Sequence, residues 1–161
     1  MSEMIKVGMA DLKICKSPDA VTTLGLGSCV GIAIRDPMTK IGGLAHIMLP
    51  DSTKIANNTC IPKFADTGIN ELVKQMVSAG AGRTRLVAKI AGGAQMFSFQ
   101  NSSDLISVGA RNVESVIKVL GTLHIPIIAQ DTGANYGRTV EFYPETGDFV
   151  IKAVGKEVKK I

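Results

Sequence analysis

The chain has 161 residues, of which 45% are hydrophobic and 20% charged, with 17 glycines and no tryptophan; this composition suits an ordered α/β protein and argues against a disordered one. A chain of that length can bury about 70% of the surface exposed when unfolded, so a core forms without metal or disulfide staples, and one domain over residues 1–161 is expected. The net charge of +4 is dispersed apart from "VGKEVKKI" at 154–161, read as a solvated tail; without a basic stripe interleaved with aromatics, nucleic acid is not an expected partner.

Residues 4–15, "MIKVGMADLKIC", alternate partly, as a strand or broken strand does, until "KSPDA" interrupts them. Extended runs follow at 21–26 ("VTTLGL"), 29–35 ("CVGIAIR") and 41–49 ("IGGLAHIML"). Between the last two, Asp36 and Pro37 suit the first positions of a type I turn, so a hairpin is predicted. The polar stretch 50–60 reads as a loop. Ala65, Ile69, Leu72, Val73, Met76 and Val77 recur at helical spacing, and Gly80 suits a left-handed cap. A buried-type strand, "RLVAKIA" at 85–91, ends in Gly92 and Gly93. Val113, Val116, Ile117 and Leu120 mark a second helix closed by Gly121, and His124 reads as a connector. "IPIIAQ", "RTVEFY" and "DFVIKAV" complete a mixed α/β layout as three strands, the last two joined by "PETG".

The three cysteines, Cys15, Cys29 and Cys60, are odd in number and unpaired in spacing, which fits a reducing compartment. The start lacks a signal-peptide core and no apolar run is long enough to span a bilayer, so a cytoplasmic protein without membrane insertion is expected. Nothing in the sequence signals a dimer interface, and a monomer is expected for the chain alone.

Chemistry concentrates in "TLGLGSCVG" at 23–31 and "AHIML" at 45–49. With the turn at Asp36-Pro37-Met38-Thr39, paired residues sum to 75 and Cys29 lies opposite His46, with Cβ atoms about 5 Å apart on one face. A one-residue slip would send the two side chains to opposite faces. A thiol beside an imidazole can become a nucleophile that attacks a carboxamide, with His46 as base and then acid. Gly25 and Gly27 permit a sharp turn, and the N–H groups of Cys29 and Ser28 could face an oxyanion. Thr23 is the best local group to orient the ring; no carboxylate stands out.

The bland readings compete. Free cysteine is among the most buried residue types and a lone histidine is commonly a satisfied core residue. Glycine bracketing, hairpin register and a nearby threonine bring the two readings level. Cys15 and Cys60 read as structural or incidental, a zinc site through Cys29, Cys60 and the two histidines lacks close ligand pairs, and "GLGSCVG" lacks the lysine of a phosphate loop. "GGAQMF" at 92–97 and "DTGANYGR" at 131–138 are plain turns or walls of a substrate cleft.

"TTLGLGSCVGIAIRD", "GGLAHIMLP", "KIAGGAQMF", "GARN" and "DTGANYGRTVEFYPETG", in that order from about residue 5 to 153, resemble the CheD family of chemoreceptor glutamine deamidases. The resemblance implies deamidation of receptor glutamines by a cysteine-dependent amidohydrolase, with Cys29 as nucleophile, His46 as its histidine and Thr23 as its threonine. No metal or organic cofactor is then expected. Implied partners are the cytoplasmic helices of chemoreceptors and a CheC-type response-regulator phosphatase; a mainly non-enzymatic role as partner of CheC and receptors is the alternative. The implied fold is four-layered α/β/β/α, two mixed sheets with flanking helices, resembling the catalytic domain of cytotoxic necrotizing toxins. Ala134 stands where the family's second glycine of "DTGG" is usual, which bears on that loop if its backbone needs positive φ.

Overall fold

A computed structural model describes residues 2–96 and 107–161. The described residues form an α+β fold, with two mixed five-stranded sheets and two helices. The first 15 residues do break in two: β1 (Met4–Val7) and β2 (Asp11–Lys16) flank a turn with Ala10 at φ 52° and enter different sheets. The strands β3 (Ala20–Leu26), β4 (Val30–Asp36), β5 (Ile41–Ile47) and β6 (Val87–Gly92) follow, with helix α1 (Ala65–Ser78) before the last of them. Helix α2 (Val108–Thr122) precedes β7 (Ile127–Thr132), β8 (Arg138–Tyr143), β9 (Asp148–Lys152) and the short β10 (Lys159–Lys160).

The first sheet has the order β1-β3-β8-β9-β10 and the second β2-β5-β4-β6-β7; each contains one parallel pair, β1 with β3 and β6 with β7. The alternating strands β4 and β5 serve two cores. Val30, Ile32, Ile34, Ala45 and Ile47 face both helices, meeting Ile69, Leu72 and Met76 of α1 and Val116 and Leu120 of α2. Ala33 and Leu44 point the other way and meet Val21, Leu26, Val140 and Phe142 of the first sheet. The described residues therefore stack as helices, sheet, sheet, whereas the resemblance implies helices on both outer faces.

Helix α1 starts without a side-chain cap, but Asp66 in its first turn accepts from the Ser52 N–H at 3.0 Å and hydroxyl at 2.6 Å, a carboxylate well placed for the positive end of the helix. Gly80 does take positive φ, +115°. Helix α2 is capped by Ser107 Oγ, which accepts from Ala110 N at 3.1 Å. It is not closed by Gly121: it runs to Thr122, and His124 takes the left-handed position at φ 58°. The basic tail is likewise no free end, since Lys159 and Lys160 pair with β9. No helix among the described residues is long and apolar enough to cross a membrane.

Candidate active site

The hairpin forms, with a register two residues from the predicted one. Asp36 pairs with Ile41 and Gly31 with His46, so paired numbers sum to 77. The connection is a four-residue loop, 37–40, in which Lys40 adopts φ 57° and donates its N–H to the Asp36 carbonyl at 2.8 Å. Because the shift is even, it preserves the face. Cys29, just before β4, is a diagonal neighbour of His46 on the inter-sheet side, a separation of about 7 Å that cysteine and imidazole side chains can span.

Three elements assemble the site. Thr23 lies on β3 of the first sheet, His46 on β5 of the second, and Cys29 in the segment 27–29 where the chain crosses from one sheet to the other. The pairing of β3 with β8 is irregular between Thr23 and Leu26, and Gly25 has φ +72°. Such a bulge bends the strand locally and ends regular pairing just before the cysteine turn.

The protonation of the histidine follows from its partners. Thr23 Oγ1 lies 2.7 Å from the Val7 carbonyl oxygen and 2.7 Å from His46 Nδ1. A hydroxyl has one proton, and the carbonyl can only accept it, so Thr23 must accept from Nδ1–H. The remaining nitrogen, Nε2, then carries a lone pair, and it is buried without a hydrogen-bond partner among the described residues. Asp11 pairs with His46 in the ladder but turns its carboxylate to the N–H groups of Gly8 and Leu12.

His46 is fully buried and Cys29 is 7% exposed. Burial lowers the His46 pKa below its ordinary 6.5. Burial raises that of the Cys29 thiol above 9.0, opposed in part by the residue's own backbone N–H lying against the sulfur. Burial thus disfavours the charged form of both groups, thiolate and imidazolium alike. No hydrogen bond joins the sulfur to either ring nitrogen.

The loop after β6 holds the cysteine turn from behind. Gly93 N donates to the Cys29 carbonyl at 2.8 Å and Ala94 N to the Gly27 carbonyl at 2.8 Å. Gly92 is required there, because a Cβ would collide with the Cys29 carbonyl oxygen and its φ is +111°. The same loop joins "DTGANYGR" through Gly133 N to the Gly92 carbonyl and Gln95 N to the Ala134 carbonyl. Gly93, Gln95, Gly133 and Ala134 line, with α2, a cleft of about 470 Å³ whose lining does not include Cys29. Phe97, the end of "GGAQMF", lies outside the described residues.

Cys15 and Cys60 stand apart from this constellation. Cys15 is buried with its thiol pushed up to about 12, chiefly by burial and then by Asp19, while Cys60 is exposed. Sequence reasoning assigned no chemistry to Asn112, which is fully buried and reaches the cysteine turn from α2. An amide in register with Val116 and Leu120 on an otherwise apolar helical stripe is the signal that could have found it.

Residues 48–153, about two thirds of the chain, match the family model described as CheD chemotactic sensory transduction; the match begins just after His46. Full-length similarity extends further. The chain is 63% identical to the probable chemoreceptor glutamine deamidase CheD of Lachnoclostridium phytofermentans across 100% of both chains. It is 54% identical to the protein of that name from Caldanaerobacter subterraneus subsp. tengcongensis, across 99% of each. With the chemoreceptor glutamine deamidase CheD of Halalkalibacterium halodurans it shares 48% identity over 100% of both.

Proposed function

Because the chain belongs to the CheD family, we propose that it deamidates glutamine side chains of chemoreceptors through a cysteine nucleophile. The observation that supports this most is the fixed tautomer of His46, which leaves Nε2 as an unpartnered base on the face shared with Cys29. In this reading Nε2 takes the thiol proton as Cys29 Sγ attacks the side-chain carboxamide carbon. A C–S bond forms, and the carbonyl electrons move onto oxygen, which the Cys29 and Ser28 N–H groups receive. His46 returns the proton to the departing nitrogen, the C–N bond breaks, and ammonia leaves a thioester. Water, deprotonated by Nε2, attacks that carbon, the C–S bond breaks, and the sulfur recovers the proton as glutamate departs.

Thr23 keeps the ring in the tautomer that makes this cycle possible; its own proton is held by the Val7 carbonyl and takes no part. Burial, which disfavours both thiolate and imidazolium, suits a concerted start, in which proton transfer and attack coincide, over a stored thiolate. The chain's further partner in this proposal is a CheC-type phosphatase.

The test is intact-mass measurement of a receptor cytoplasmic fragment after incubation with wild type or Cys29→Ala. Wild type should convert amide to acid, and the variant should not while still co-purifying with the fragment and with a CheC-type phosphatase. Conversion by the variant rules out Cys29 as nucleophile. Equal conversion of an unrelated protein rules out the receptor as its particular substrate.

A further inference from the structure

Three consecutive carbonyls of the cysteine turn are held by groups outside it. Those of Gly27 and Cys29 accept from Ala94 N and Gly93 N, and that of Ser28 accepts from Asn112 Nδ2 at 2.9 Å. The same Nδ2 donates to the Met48 carbonyl, just past the end of β5, at 3.0 Å. Since both partners are carbonyls, the orientation of the Asn112 amide is unambiguous. Gly109, three residues earlier on α2, lets the helix come this close: a Cβ there would collide with the Ala94 carbonyl oxygen.

A trans peptide directs its C=O and N–H in opposite directions, and Ser28–Cys29 is trans, the cis bond of the described chain being Ser17–Pro18. Whatever fixes the Ser28 carbonyl therefore also aims the Cys29 N–H. Among the described residues that N–H donates to no backbone carbonyl, and neither does that of Ser28. We propose that Asn112 is a positioning residue for the reaction: by gripping the Ser28 carbonyl from the helix side, it turns the Cys29 N–H toward the space in front of the sulfur, where the oxyanion forms. The inference rests on the deamidase reading. It assigns "GARN" a mechanical role, with Gly109 setting the helix approach and Asn112 the peptide plane.

The experiment compares Asn112→Ala with wild type by two reactions of the same sulfur. Deamidation of a receptor fragment needs the oxyanion donor, whereas alkylation of Cys29 by iodoacetamide displaces iodide and forms no oxyanion. Deleting an oxyanion donor costs about 10²- to 10³-fold, so a misaimed one should lower kcat about 10- to 100-fold with KM little changed. Alkylation of the folded variant should fall far less than kcat, since moving the N–H that lies against the sulfur costs some thiolate but removes no oxyanion donor from that reaction. Should Asn112→Ala fail to fold, Asn112→Ser, which keeps one donor, is read the same way and should lose less. An unchanged kcat overturns the proposal, and so does an equal fall in both reactions, which would mean that Asn112 supports the sulfur itself. If wild type converts no receptor glutamine, or Cys29→Ala converts it, the deamidase reading fails first and takes this inference with it.

Discussion

The two faces of the second sheet have opposite characters although the same strands supply both. Toward the helices, Val30, Ile32, Ile34, Ala45 and Ile47 meet an aliphatic layer. Toward the first sheet, the neighbouring positions of β5 carry Leu44 and then His46, facing Thr23 across the gap, with Cys29 at the crossover. The first face is held by volume, since each fully buried side chain contributes about 1.5–3 kcal/mol and close packing makes lost methylenes felt. The second is held partly by a chain of hydrogen bonds, Val7 to Thr23 to His46, that ends in an orphan lone pair. A buried polar atom without a partner has a cost, and its survival here fits a group whose partner is the substrate or the nucleophile.

The comparison is broken most severely at Thr23. Thr23→Val keeps the shape but removes the hydroxyl, leaving the Val7 carbonyl and Nδ1–H both unpaired and the tautomer unspecified. Turnover should fall about 10²- to 10³-fold, with a stability loss of about 2 kcal/mol. Thr23→Ser should restore most of both, as measured by kcat and urea unfolding on the same samples. If Thr23→Ser is as impaired as Thr23→Val, the methyl rather than the hydroxyl matters and the tautomer argument fails.

On the aliphatic face the converse holds. Met76→Ala empties a fully buried position and should cost about 3 kcal/mol in urea unfolding, within the range of about 2–5 for such truncations. Deamidation per folded molecule should be unchanged, and a matching loss of kcat would show that the faces are not independent.

Asp36, at the far end of the hairpin from His46, is a buried charge of a different kind. It is fully buried, accepts from Arg85 Nη2 at 2.8 Å and Nε at 3.1 Å, and takes further bonds from the N–H groups of Gly82 and Met38. The Arg85 guanidinium, first of all, holds its carboxyl well below the usual carboxylate range. A depressed folded pKa contributes stability that is fully present above the unfolded value, near 4, and is lost as pH falls through the folded value. Asp36→Asn should therefore destabilise the chain by about 2 kcal/mol at pH 7 and flatten the rise of stability with pH below about 4. Urea midpoints across that range would check it; an unaltered acid limb would show that Asp36 does not drive it.

The charge state of the site is read by alkylation. With the thiol raised above 9.0 by burial, the rate of Cys29 modification by iodoacetamide should climb about tenfold per pH unit through neutrality and continue past pH 9. A plateau reached by neutral pH would reveal a thiolate–imidazolium pair instead, and with it a stronger coupling across the inter-sheet gap.

Much of this arrangement was legible in the sequence because strand alternation is robust. The hairpin register predicted from Asp36 and Pro37 was two residues off, since loop length does not reveal that Lys40 takes a left-handed conformation. Yet parity survived, and parity alone decides which side chains share a face. The end of α2 was missed for a related reason: Gly121 reads as its close, whereas the helix runs to Thr122 and the left-handed residue after it is His124. Asn112 was missed because its role lies in contacts with Ser28 and Met48, 84 and 64 residues away along the chain. Both helices share one sheet, an arrangement that periodicity cannot report, because it marks a buried face without naming what covers it.

Ala134 gives the smallest effect and isolates the loop from the chemistry. It does adopt positive φ, +60°, in the position where the family resemblance implies glycine. An L-residue there costs about 1–2 kcal/mol that glycine avoids, while glycine gives the unfolded chain an advantage of about 0.4–1 kcal/mol. Ala134→Gly should therefore stabilise by about 0.5–1 kcal/mol, raising Tm by about 2 °C. Deamidation should not change, since the Ala134 carbonyl that accepts from Gln95 N at 2.9 Å belongs to the backbone and is retained. A gain in stability together with a change in kcat would mean that "DTGANYGR" reaches the reacting atoms and is not solely a brace behind the cysteine turn.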